Sequence, residues 1–534
     1  MRHATWMGSP DAVVIGAGPN GLVAANLLAD AGWSVVVLEA AAEPGGAVKT
    51  AEVTAPGFRN DLFSAFYPLA AASPVLRALS LDRYGLRWAE APAVLAHPGD
   101  DGRTAVLHRD PADTAASLEA FAAGDGDAWL DLHRRFEAIR EPLTEAMVRP
   151  FPPARSAATL LRRLGTAEAL RFARFAVQPL RRWTAETFRG EGAAALLAGC
   201  ALHTDLGPDA AGSAAFGWVL AMLGQSVGFP VPVGGAGRLT AALVERLEAR
   251  GGTVACGARV ERVVVVRGRA VAVRTAAGDE YGAGRAVLAA VDAPQLLASL
   301  VEPEHLPARL RDDLRRFAWD HATLKVDWAL SAPIPWASAG CRGAGVVHLG
   351  GGLDALSSYA HALSVGAEPE RPYLVLGQMT TADPSRSPAG TESAWAYTHL
   401  PRTAVDAPDV AAVVRRVEAE VERHAPGFRD LVLARHVAGP AALQAANPSL
   451  SRGALNGGTA APYQQLFWRP VPGMLGRPEL PVRGLYLASA SAHPGGGVHG
   501  GPGAIAATVA LRDAGALGPA RRAVTRGLQR RVYR

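Results

Sequence analysis

Apolar residues in the first 40 positions follow the pattern of two short strands with a helix between them. The run AVVI at residues 12–15 is typical of a strand buried in a parallel sheet, and WSVVVLE at residues 33–39 is a second run of this kind. The stretch between them predicts a helix over about residues 21–31. The pattern therefore predicts a strand–loop–helix–strand unit.

Units of the same type recur twice further along the chain. Residues 231–266 contain a glycine-rich turn, an amphipathic helix and a strand, and Leu239, Leu243 and Leu247 share one face of that helix. Residues 483–511 again have the order strand, glycine loop, helix. We therefore predict an α/β fold: a Rossmann-type nucleotide-binding domain, discontinuous in sequence, with an inserted α+β substrate domain.

These patterns divide the chain into six predicted segments. They are residues 9–72, 229–300 and 482–518 for the nucleotide-binding domain, residues 73–228 (mainly helical) and 301–481 for the substrate domain, and residues 519–534 for a basic tail. The tail has six arginines and no acid, and without them the formal net charge of +5 becomes −1. Because the rest of the chain has no basic motif interleaved with aromatic residues, we do not expect nucleic-acid binding.

The loop of the first unit has the glycine spacing of a dinucleotide site. Gly16, Gly18 and Gly21 form the pattern G-x-G-x-x-G, and Glu39 follows 18 residues after the last of them. Such glycines allow a tight turn, a close approach of the backbone to a pyrophosphate and close helix packing, and the helix N-terminus attracts the phosphates. Glu39 is placed to accept hydrogen bonds from a ribose 2′-hydroxyl, which disfavours a 2′-phosphate. Since the sequence has no second unit of this spacing, we predict one tightly bound dinucleotide and no separate NAD domain.

Four ordered stretches resemble a known family of flavoproteins. They are GAGPNGL…LE…PGGAVKT, GFRNDLFSAFYPL, PVGGAGRLTAAL and GLYLASASAHPGGGVHGGPG. They are similar to the phytoene-desaturase-like FAD oxidoreductases of the amine-oxidase-like superfamily, and HPGGGVHG is most similar to the branch named pyridine nucleotide-disulfide oxidoreductase domain-containing protein 2. The resemblance extends over almost the whole chain and implies FAD as cofactor, with hydride removal from a substrate to flavin N5.

The resemblance also implies which residues hold FAD. The cofactor-binding residues are expected to be Gly16, Gly18, Pro19, Asn20, Gly21, Glu39, Gly45, Gly46, Val260, Gly496, Gly497, Val498 and Gly503. Gly45 and Gly46 are a second glycine pair, which allows another stretch of backbone to approach the cofactor. No metal ligands are expected, because Cys200, Cys256 and Cys341 lie far apart and have no zinc-site spacing.

Four residues are candidates for chemistry: Lys325, Tyr67, His493 and His499. The alternation around Lys325 predicts a strand, and in the superfamily a lysine in a similar strand often reaches flavin N5 through a water. Tyr67 belongs to a stretch that, by resemblance, runs under the flavin. His493 and His499 flank the last glycine loop, where they either act near the flavin ring or pack the loop. His203, Trp218 and Met222 either line a pocket or belong to the core.

The expected activity is dehydrogenation or desaturation of a small, mainly apolar substrate, such as an isoprenoid or polyene. The electron acceptor would be dioxygen, a quinone or another protein. Two alternatives stay open, which are a flavin amine oxidase and a non-catalytic FAD-binding interaction protein. The cysteine usage suits a reducing compartment, and no run of about 20 apolar residues predicts a membrane span, so we expect a cytoplasmic protein.

One further segment has the pattern of a membrane-surface helix. Residues 155–182 contain seven arginines and a single acid, Glu168, interleaved with Leu160, Leu161, Leu164, Phe172 and Phe175. A basic amphipathic helix can lie on anionic lipid with its apolar face down, which would bring the protein into peripheral contact with the inner face of the membrane. The alternative is that its apolar face packs on the substrate domain.

Overall fold

The computed structural model describes residues 9–404 and 409–533. The strands in these residues are β1 Ala12–Ile15, β2 Val35–Leu38, β3 Thr50–Ala51, β4 Asn60–Asp61, β5 Trp88–Ala89, β6 Ala93–Pro98, β7 Thr104–Leu107, β8 Val231–Pro232, β9 Thr253–Ala255, β10 Val260–Val266, β11 Arg269–Thr275, β12 Glu280–Gly282, β13 Ala286–Ala289, β14 Ala322–Leu330, β15 Ala344–Leu349, β16 Leu374–Gln378, β17 Glu392–Leu400, β18 Val432–Ala438 and β19 Leu485–Leu487.

Helices separate most of these strands, and short 3₁₀ and π turns connect several of them. The α-helices are α1 Pro19–Asp30, α2 Pro68–Ala72, α3 Pro74–Ala78, α4 Pro111–Glu119, α5 Asp125–Met147, α6 Ala154–Val177, α7 Leu180–Thr187, α8 Glu191–Ala201, α9 Ser213–Val227, α10 Gly237–Glu248, α11 Ala293–Gln295, α12 Ala308–Arg315, α13 Ala339–Arg342, α14 Leu353–Ser364, α15 Met379–Ala382, α16 Val410–His424, α17 Pro440–Ala446, α18 Gly501–Ala514 and α19 Gly518–Val532.

Five strands form a parallel sheet in the order β19-β13-β1-β2-β9. Ala12 of β1 lies opposite Val35 of β2 and Ala286 of β13. The strands come from all three segments that the sequence assigned to the nucleotide-binding domain, so distant parts of the chain meet in one sheet. The segment boundaries themselves remain a prediction.

Alternating side chains of β1 place the parallel sheet between two layers. Ala12 and Val14 pack with residues of α1, α10 and α18 on one face. Val13 and Ile15 point the other way and pack with the antiparallel sheet β10-β11-β12. The carboxyl ends of the central strands are thereby directed at the loops that hold the site.

A second sheet of seven strands has the order β18-β14-β17-β16-β15-β6-β7. All of its pairs are antiparallel except β6 with β15. One face packs on α5, α7, α8 and α9, and the opposite face packs on α16. Because β6 and β7 belong to the first insertion and the other strands to the second, both insertions build one substrate-domain layer.

The predicted α/β architecture is confirmed, with local differences. Helix α1 begins at Pro19 rather than Gly21, because a proline suits the first position of a helix, where no intrahelical N–H bond is lost. Helix α6 is kinked at Gly165, whose φ of 72° interrupts the helical backbone. The first insertion is helical in the main but also contributes strands. None of the helices in the described part of the chain has the length and apolar content that crossing a bilayer requires.

Candidate active site

A cavity of about 1470 Å³ extends from the carboxyl ends of the parallel sheet to the second sheet and its helices. Cavities for drug-sized ligands typically measure about 300–1,000 Å³. The volume therefore leaves room for a dinucleotide and a second molecule. Most of the residues predicted for FAD line it: Gly16, Gly18, Pro19, Asn20, Glu39, Gly46, Val260, Gly496, Gly497 and Val498.

Gly21, Gly45 and Gly503 lie behind this lining, where they permit close backbone contacts. A Cβ on Gly21 would lie 2.0 Å from the carbonyl oxygen of Gly16, and one on Gly503 would lie 2.0 Å from the carbonyl oxygen of Asn20. Any side chain at these two positions would separate α1 from its strand or from α18. Gly45 donates its N–H to the carbonyl of Ala17 at 2.9 Å and so fixes the second glycine pair against the first loop.

The start of α1 offers polar groups to an anion. No side chain caps this helix, so its first N–H groups are left open to a ligand. Unpaired N–H groups at a helix N-terminus and the helix dipole favour a phosphate. Gly46, with φ of 55°, crosses so near that a Cβ there would lie 2.9 Å from Cα of Gly18. These features form a cradle of the size and polarity that a pyrophosphate needs.

Glu39 is fixed at the end of β2 by two backbone donors. Its carboxylate accepts the N–H of Ala17 at 2.8 Å and the N–H of Ala41 at 2.9 Å. Each carboxylate oxygen keeps a further lone pair, so the group can also accept a ribose hydroxyl. Val260 begins β10 and lines the same end of the cavity. The residues present thus fit the adenosine end of FAD.

Two buried charged residues that sequence analysis missed organise the loop at residues 455–460. The Asp320 carboxylate accepts the N–H groups of Leu455 and Asn456, each at 2.8 Å. Burial raises the pKa of Asp320 to about 6. Arg469 donates to the carbonyls of Asn456 at 2.9 Å and Ala490 at 2.8 Å, and so ties this loop to the one before the last glycines. The motif NGG at residues 456–458 was the single local signal, because these partners lie up to 136 residues apart.

Lys325 lies on the cavity face of β14. Leu324 and Val326 point into the core on the opposite face, so strand alternation directs Lys325 toward the cavity. Its side chain is only 4% exposed, forms an ion pair with Asp327, and lies 5.7 Å from the ring centroid of Trp395. Burial raises the pKa of Asp327, and the neighbouring ammonium opposes that shift.

The other three catalytic candidates also line the cavity. Tyr67 donates its hydroxyl to the carbonyl of Ser64 at 2.9 Å, and burial raises its pKa. In His499, Nδ1 accepts the N–H of Gly501 at 2.9 Å, an arrangement that also fits packing of the loop. The ring nitrogens of His493 have no hydrogen-bond partner of good geometry among the described residues, although the nearby backbone of Ala146 weakly favours protonation. Burial lowers the pKa of each histidine to about 4, so both are neutral at pH 7.

Aromatic residues of α6 and α9 line the cavity. Phe172 and Phe175 of the kinked helix pack edge-on against Trp218, with ring centroids 6.2 and 5.3 Å away. His203 and Trp218 line the cavity, whereas Met222 is buried in the core. The two phenylalanines therefore face inward and not outward from the basic helix.

We predict that Gly18→Ala weakens FAD binding at least about tenfold, or roughly 1.4 kcal/mol. The φ of −73° suits alanine, and the new Cβ would lie 3.8 Å from Cα of Gly46, so the protein itself can accommodate it. The methyl group would instead stand where the backbone approaches the pyrophosphate. Titration of flavin-free protein with FAD measures the affinity, and thermal unfolding of the same samples checks the fold.

Gly527→Ala is the matched control for this experiment. Gly527 lies in α19, and a Cβ there would meet no heavy atom within 4 Å. This variant should bind FAD as the unaltered protein does. If Gly18→Ala also keeps the full affinity, the loop is not the pyrophosphate site.

Two relatives and a solved structure are similar to the chain over nearly its whole length. At 28% identity the chain is similar to pyridine nucleotide-disulfide oxidoreductase domain-containing protein 2 from Rattus norvegicus, over 94% of this chain and 93% of the rat protein. It is 23% identical to a limonene dehydrogenase subunit from Castellaniella defragrans, over 95% of each chain. The fold is similar to the crystal structure of an oxidoreductase from Methanosarcina mazei, with a TM-score of 0.63, 16% identity, and coverage of 94% of this chain and 99% of that one.

A family model described as flavin containing amine oxidoreductase matches residues 20–502. That range includes nine of the thirteen predicted FAD-binding residues, and Gly16, Gly18, Pro19 and Gly503 lie within four positions of its ends. The residues present fit the nucleotide part of FAD. The chain therefore belongs to the flavin-containing amine oxidoreductase family and is an FAD-dependent oxidoreductase.

Proposed function

We propose that this protein is a dehydrogenase or desaturase of the phytoene dehydrogenase-like type, which removes hydride from a mainly apolar substrate. One observation supports this most strongly. Many apolar and aromatic side chains that line the cavity also pack in one hydrophobic cluster, and we call the space beside them the chamber: Leu69, Leu143, Phe172, Phe175, Trp218, Val219, Leu220, Leu223, Phe229, Val346, Val375, Trp395 and Tyr397. Met147 and polar residues such as His203 and Thr204 line the cavity as well. Such a chamber gains free energy by taking apolar surface out of water, at about 25 cal/mol per Å².

The named relative from Castellaniella defragrans gives this proposal independent support. Its name refers to limonene, which is a hydrocarbon. An apolar chamber of the kind described suits substrates of that class, isoprenoids and polyenes included. The electron acceptor in our proposal remains dioxygen, a quinone or another protein.

The residues of the chain have separable tasks in this reaction. When bound, FAD supplies the two-electron acceptor. Glu39 and the loop of Gly16 and Gly18 bind its nucleotide part, and the apolar walls exclude water from the reacting carbon. Lys325 holds a fixed ammonium beside the chamber, where it would stabilise negative charge on a bound flavin ring. Asp327 keeps that ammonium oriented through the buried ion pair.

The aromatic residues next to Lys325 disfavour the amine oxidase alternative. Trp395 and Tyr397 are nearly parallel, with an angle of 8° between their planes and centroids 6.1 Å apart. A group held between two rings needs them about 7 Å apart, twice a van der Waals contact of about 3.5 Å. An amine therefore does not fit between these two rings, whereas a flat apolar chain can lie against them.

We expect an isoprenoid or polyene hydrocarbon to bleach the flavin absorbance band of the FAD-loaded protein under anaerobic conditions. Aliphatic and aromatic amines, tested in parallel, should leave the band unchanged. Bleaching by amines alone would overturn the proposal in favour of an amine oxidase. Reduction by dithionite but by no organic compound would favour the non-catalytic alternative.

We predict that Lys325→Met combined with Asp327→Asn slows flavin reduction or reoxidation at least about tenfold, a loss of roughly 1.4 kcal/mol of barrier stabilisation. The second substitution is needed because removal of Lys325 alone leaves a buried, unpaired carboxylate. FAD content and stopped-flow rates of both half-reactions are the measurements. Lys325→Arg, which keeps a cation beside Asp327, is the comparison variant and should lose less of the rate. Unchanged rates in the double variant would remove Lys325 from the chemistry.

We also propose peripheral contact with anionic membranes through the outer side of α6. Leu161, Leu170 and Val177 are 53%, 69% and 58% exposed on this helix. Val177 also lines the cavity, as do the exposed residues Phe216, Leu466 and Trp468, so the chamber opens among apolar side chains. Arg155 and Arg162 of the same helix form no ion pair with any residue that the structure describes. Apolar side chains beside unpaired arginines match the chemistry of an anionic lipid surface.

Leu161→Gln with Leu170→Gln should reduce co-sedimentation with phosphatidylglycerol vesicles at least about tenfold, because each leucine contributes about 1.5–3 kcal/mol when buried. Binding of the unaltered protein should weaken as salt rises, since the arginines are then screened. Val365→Gln with Leu433→Gln is the matched control, because those side chains are 63% and 60% exposed away from α6. Equal binding by both variants, or no binding at low salt, would contradict this proposal.

A further inference from the structure

Two buried histidines meet at the wall of the apolar chamber, and the reaction described so far gives them no task. His203 follows the end of α8 and lines the cavity, and His348 belongs to β15. Their Nε2 atoms lie 2.8 Å apart, which is a hydrogen bond between the two rings. We propose that His203 is a catalytic base that accepts a proton from the substrate through Nδ1, and that His348 and His97 are positioning residues that keep Nδ1 unprotonated. This inference rests on the proposed function.

The position of His203 suits a group that touches substrate. Its ring lies 6.4 Å from that of Tyr397, which is the residue opposite Lys325 in the pairing of β14 with β17. Nδ1 of His203 forms no hydrogen bond with any described residue, and the ring borders the chamber. The ring of Tyr397 therefore lies between His203 and the Lys325 side of the cavity.

The tautomers of the neighbouring histidines can be assigned in order, beginning with His97. Nε2 of His97 lies 2.9 Å from the carbonyl oxygen of Gly351 and must donate, because a carbonyl can only accept. Nδ1 of neutral His97 is therefore bare. Its ring meets that of His348 edge to face, with centroids 6.1 Å apart, and Nδ1 of His348 is buried without a partner among the described residues. Nδ1 of His97 is also without a hydrogen-bond partner among the described residues, so its lone pair acts on the His348 ring through its electrostatic field, which favours an N–H at Nδ1 of His348.

The position of the proton on His348 determines which nitrogen of His203 is protonated. If His348 has its proton on Nδ1, its Nε2 is an acceptor, and the proton between the two rings belongs to Nε2 of His203. Nδ1 of His203 is then a lone pair at the wall of the chamber. After it accepts a proton, the imidazolium still donates from Nε2 to His348, and this bond becomes charge-assisted and stronger.

The surroundings keep the pair neutral before reaction. The titratable groups that face it are Tyr397 and His399 of β17, Tyr373 of β16, His97 of β6 and Cys200 of α8. No carboxylate among the described residues shifts the pKa of either ring. Burial lowers the pKa of His203 to about 4, and burial also lowers the pKa of His348. At pH 7 the base is thus present in its unprotonated form.

The step balances as a dehydrogenation. One C–H bond of the substrate breaks, and its hydrogen leaves as hydride, with the electron pair, to the oxidised flavin. The adjacent C–H or O–H bond also breaks, its electron pair forms the new double bond, and its proton goes to Nδ1 of His203. The substrate thereby loses two electrons and two hydrogens. A weak base suffices, because loss of hydride makes the neighbouring proton strongly acidic.

Chemical rescue tests the base directly. In the FAD-loaded protein, His203→Ala should slow anaerobic flavin reduction by substrate at least about tenfold, with the substrate dissociation constant changed less than about threefold. Added imidazole should restore part of the rate. His399→Ala is the matched control, because His399 is buried close by but does not line the cavity, and imidazole should not change its rate. Normal reduction in His203→Ala would overturn the inference, whereas failure of the unaltered protein to be reduced would overturn the proposed function itself.

Nitrogen NMR of histidine-labelled protein supplies a readout that does not depend on turnover or on the stability of a variant. His203 should show a proton on Nε2 and a bare Nδ1 at pH 7. In His97→Phe this preference should shift toward Nδ1–H, and His348→Gln, which keeps a hydrogen-bonding partner, should retain more of the reduction rate than His348→Leu. A protonated Nδ1 on His203 in the unaltered protein would contradict the assignment.

Discussion

The nucleotide cleft depends on backbone segments that lie in direct contact, with no side chain between them. The contact of Gly21 with Gly16 lets α1 start directly at the end of β1, and the contact of Gly503 with Asn20 brings α18 against that start. Gly46 then crosses over Gly18. Each contact removes the space for a side chain and exposes peptide N–H groups and the helix dipole to a ligand. The order of the parallel sheet follows, because β1 must lie centrally for these loops to converge.

The alternation of side chains along β14 places Lys325 at the chamber. Since β14 directs Leu324 and Val326 into the core beneath α16, the intervening Lys325 has no direction available but the cavity. The same face of the second sheet presents Val346, Val375 and Trp395. One ion pair is thus surrounded by hydrocarbon, where electrostatic interactions are stronger than in water and an unpaired charge is costly. Negative charge that develops beside Lys325 is therefore stabilised by its ammonium.

The sequence was informative where the determinants are local. Gly16, Gly18, Gly21 and Glu39 lie within 24 residues, so their spacing predicted the loop, the helix and the acid at the strand end. The strand of Lys325 was predicted from alternation, and its role was expected from resemblance. His203 was noted as a residue of pocket or core, yet its partner is 145 residues away in another insertion, and nothing local indicates the pair. Asp320 and Arg469 were missed for the same reason.

The basic helix α6 shows a second limit of prediction from the sequence. Leu160, Leu161 and Leu164 are all apolar, and periodicity alone does not decide which side of such a helix faces the core. Tertiary packing does so here: Leu160, Leu164 and the two phenylalanines turn inward, and Leu161 stays exposed. The kink at Gly165 also changes the helix direction, so a single helical-wheel projection does not describe all 24 residues.

We expect a single continuous cavity to hold FAD at one end and an apolar substrate at the other, with Lys325 at the junction. A crystal structure of the FAD-loaded protein tests this most directly. We expect the adenosine ribose on Glu39, the pyrophosphate at the start of α1, and the flavin ring beside Lys325 with one face open to the chamber of Phe172, Phe175 and Trp218. A flavin ring directed away from Lys325, or a chamber closed off from the ring by protein, would contradict it.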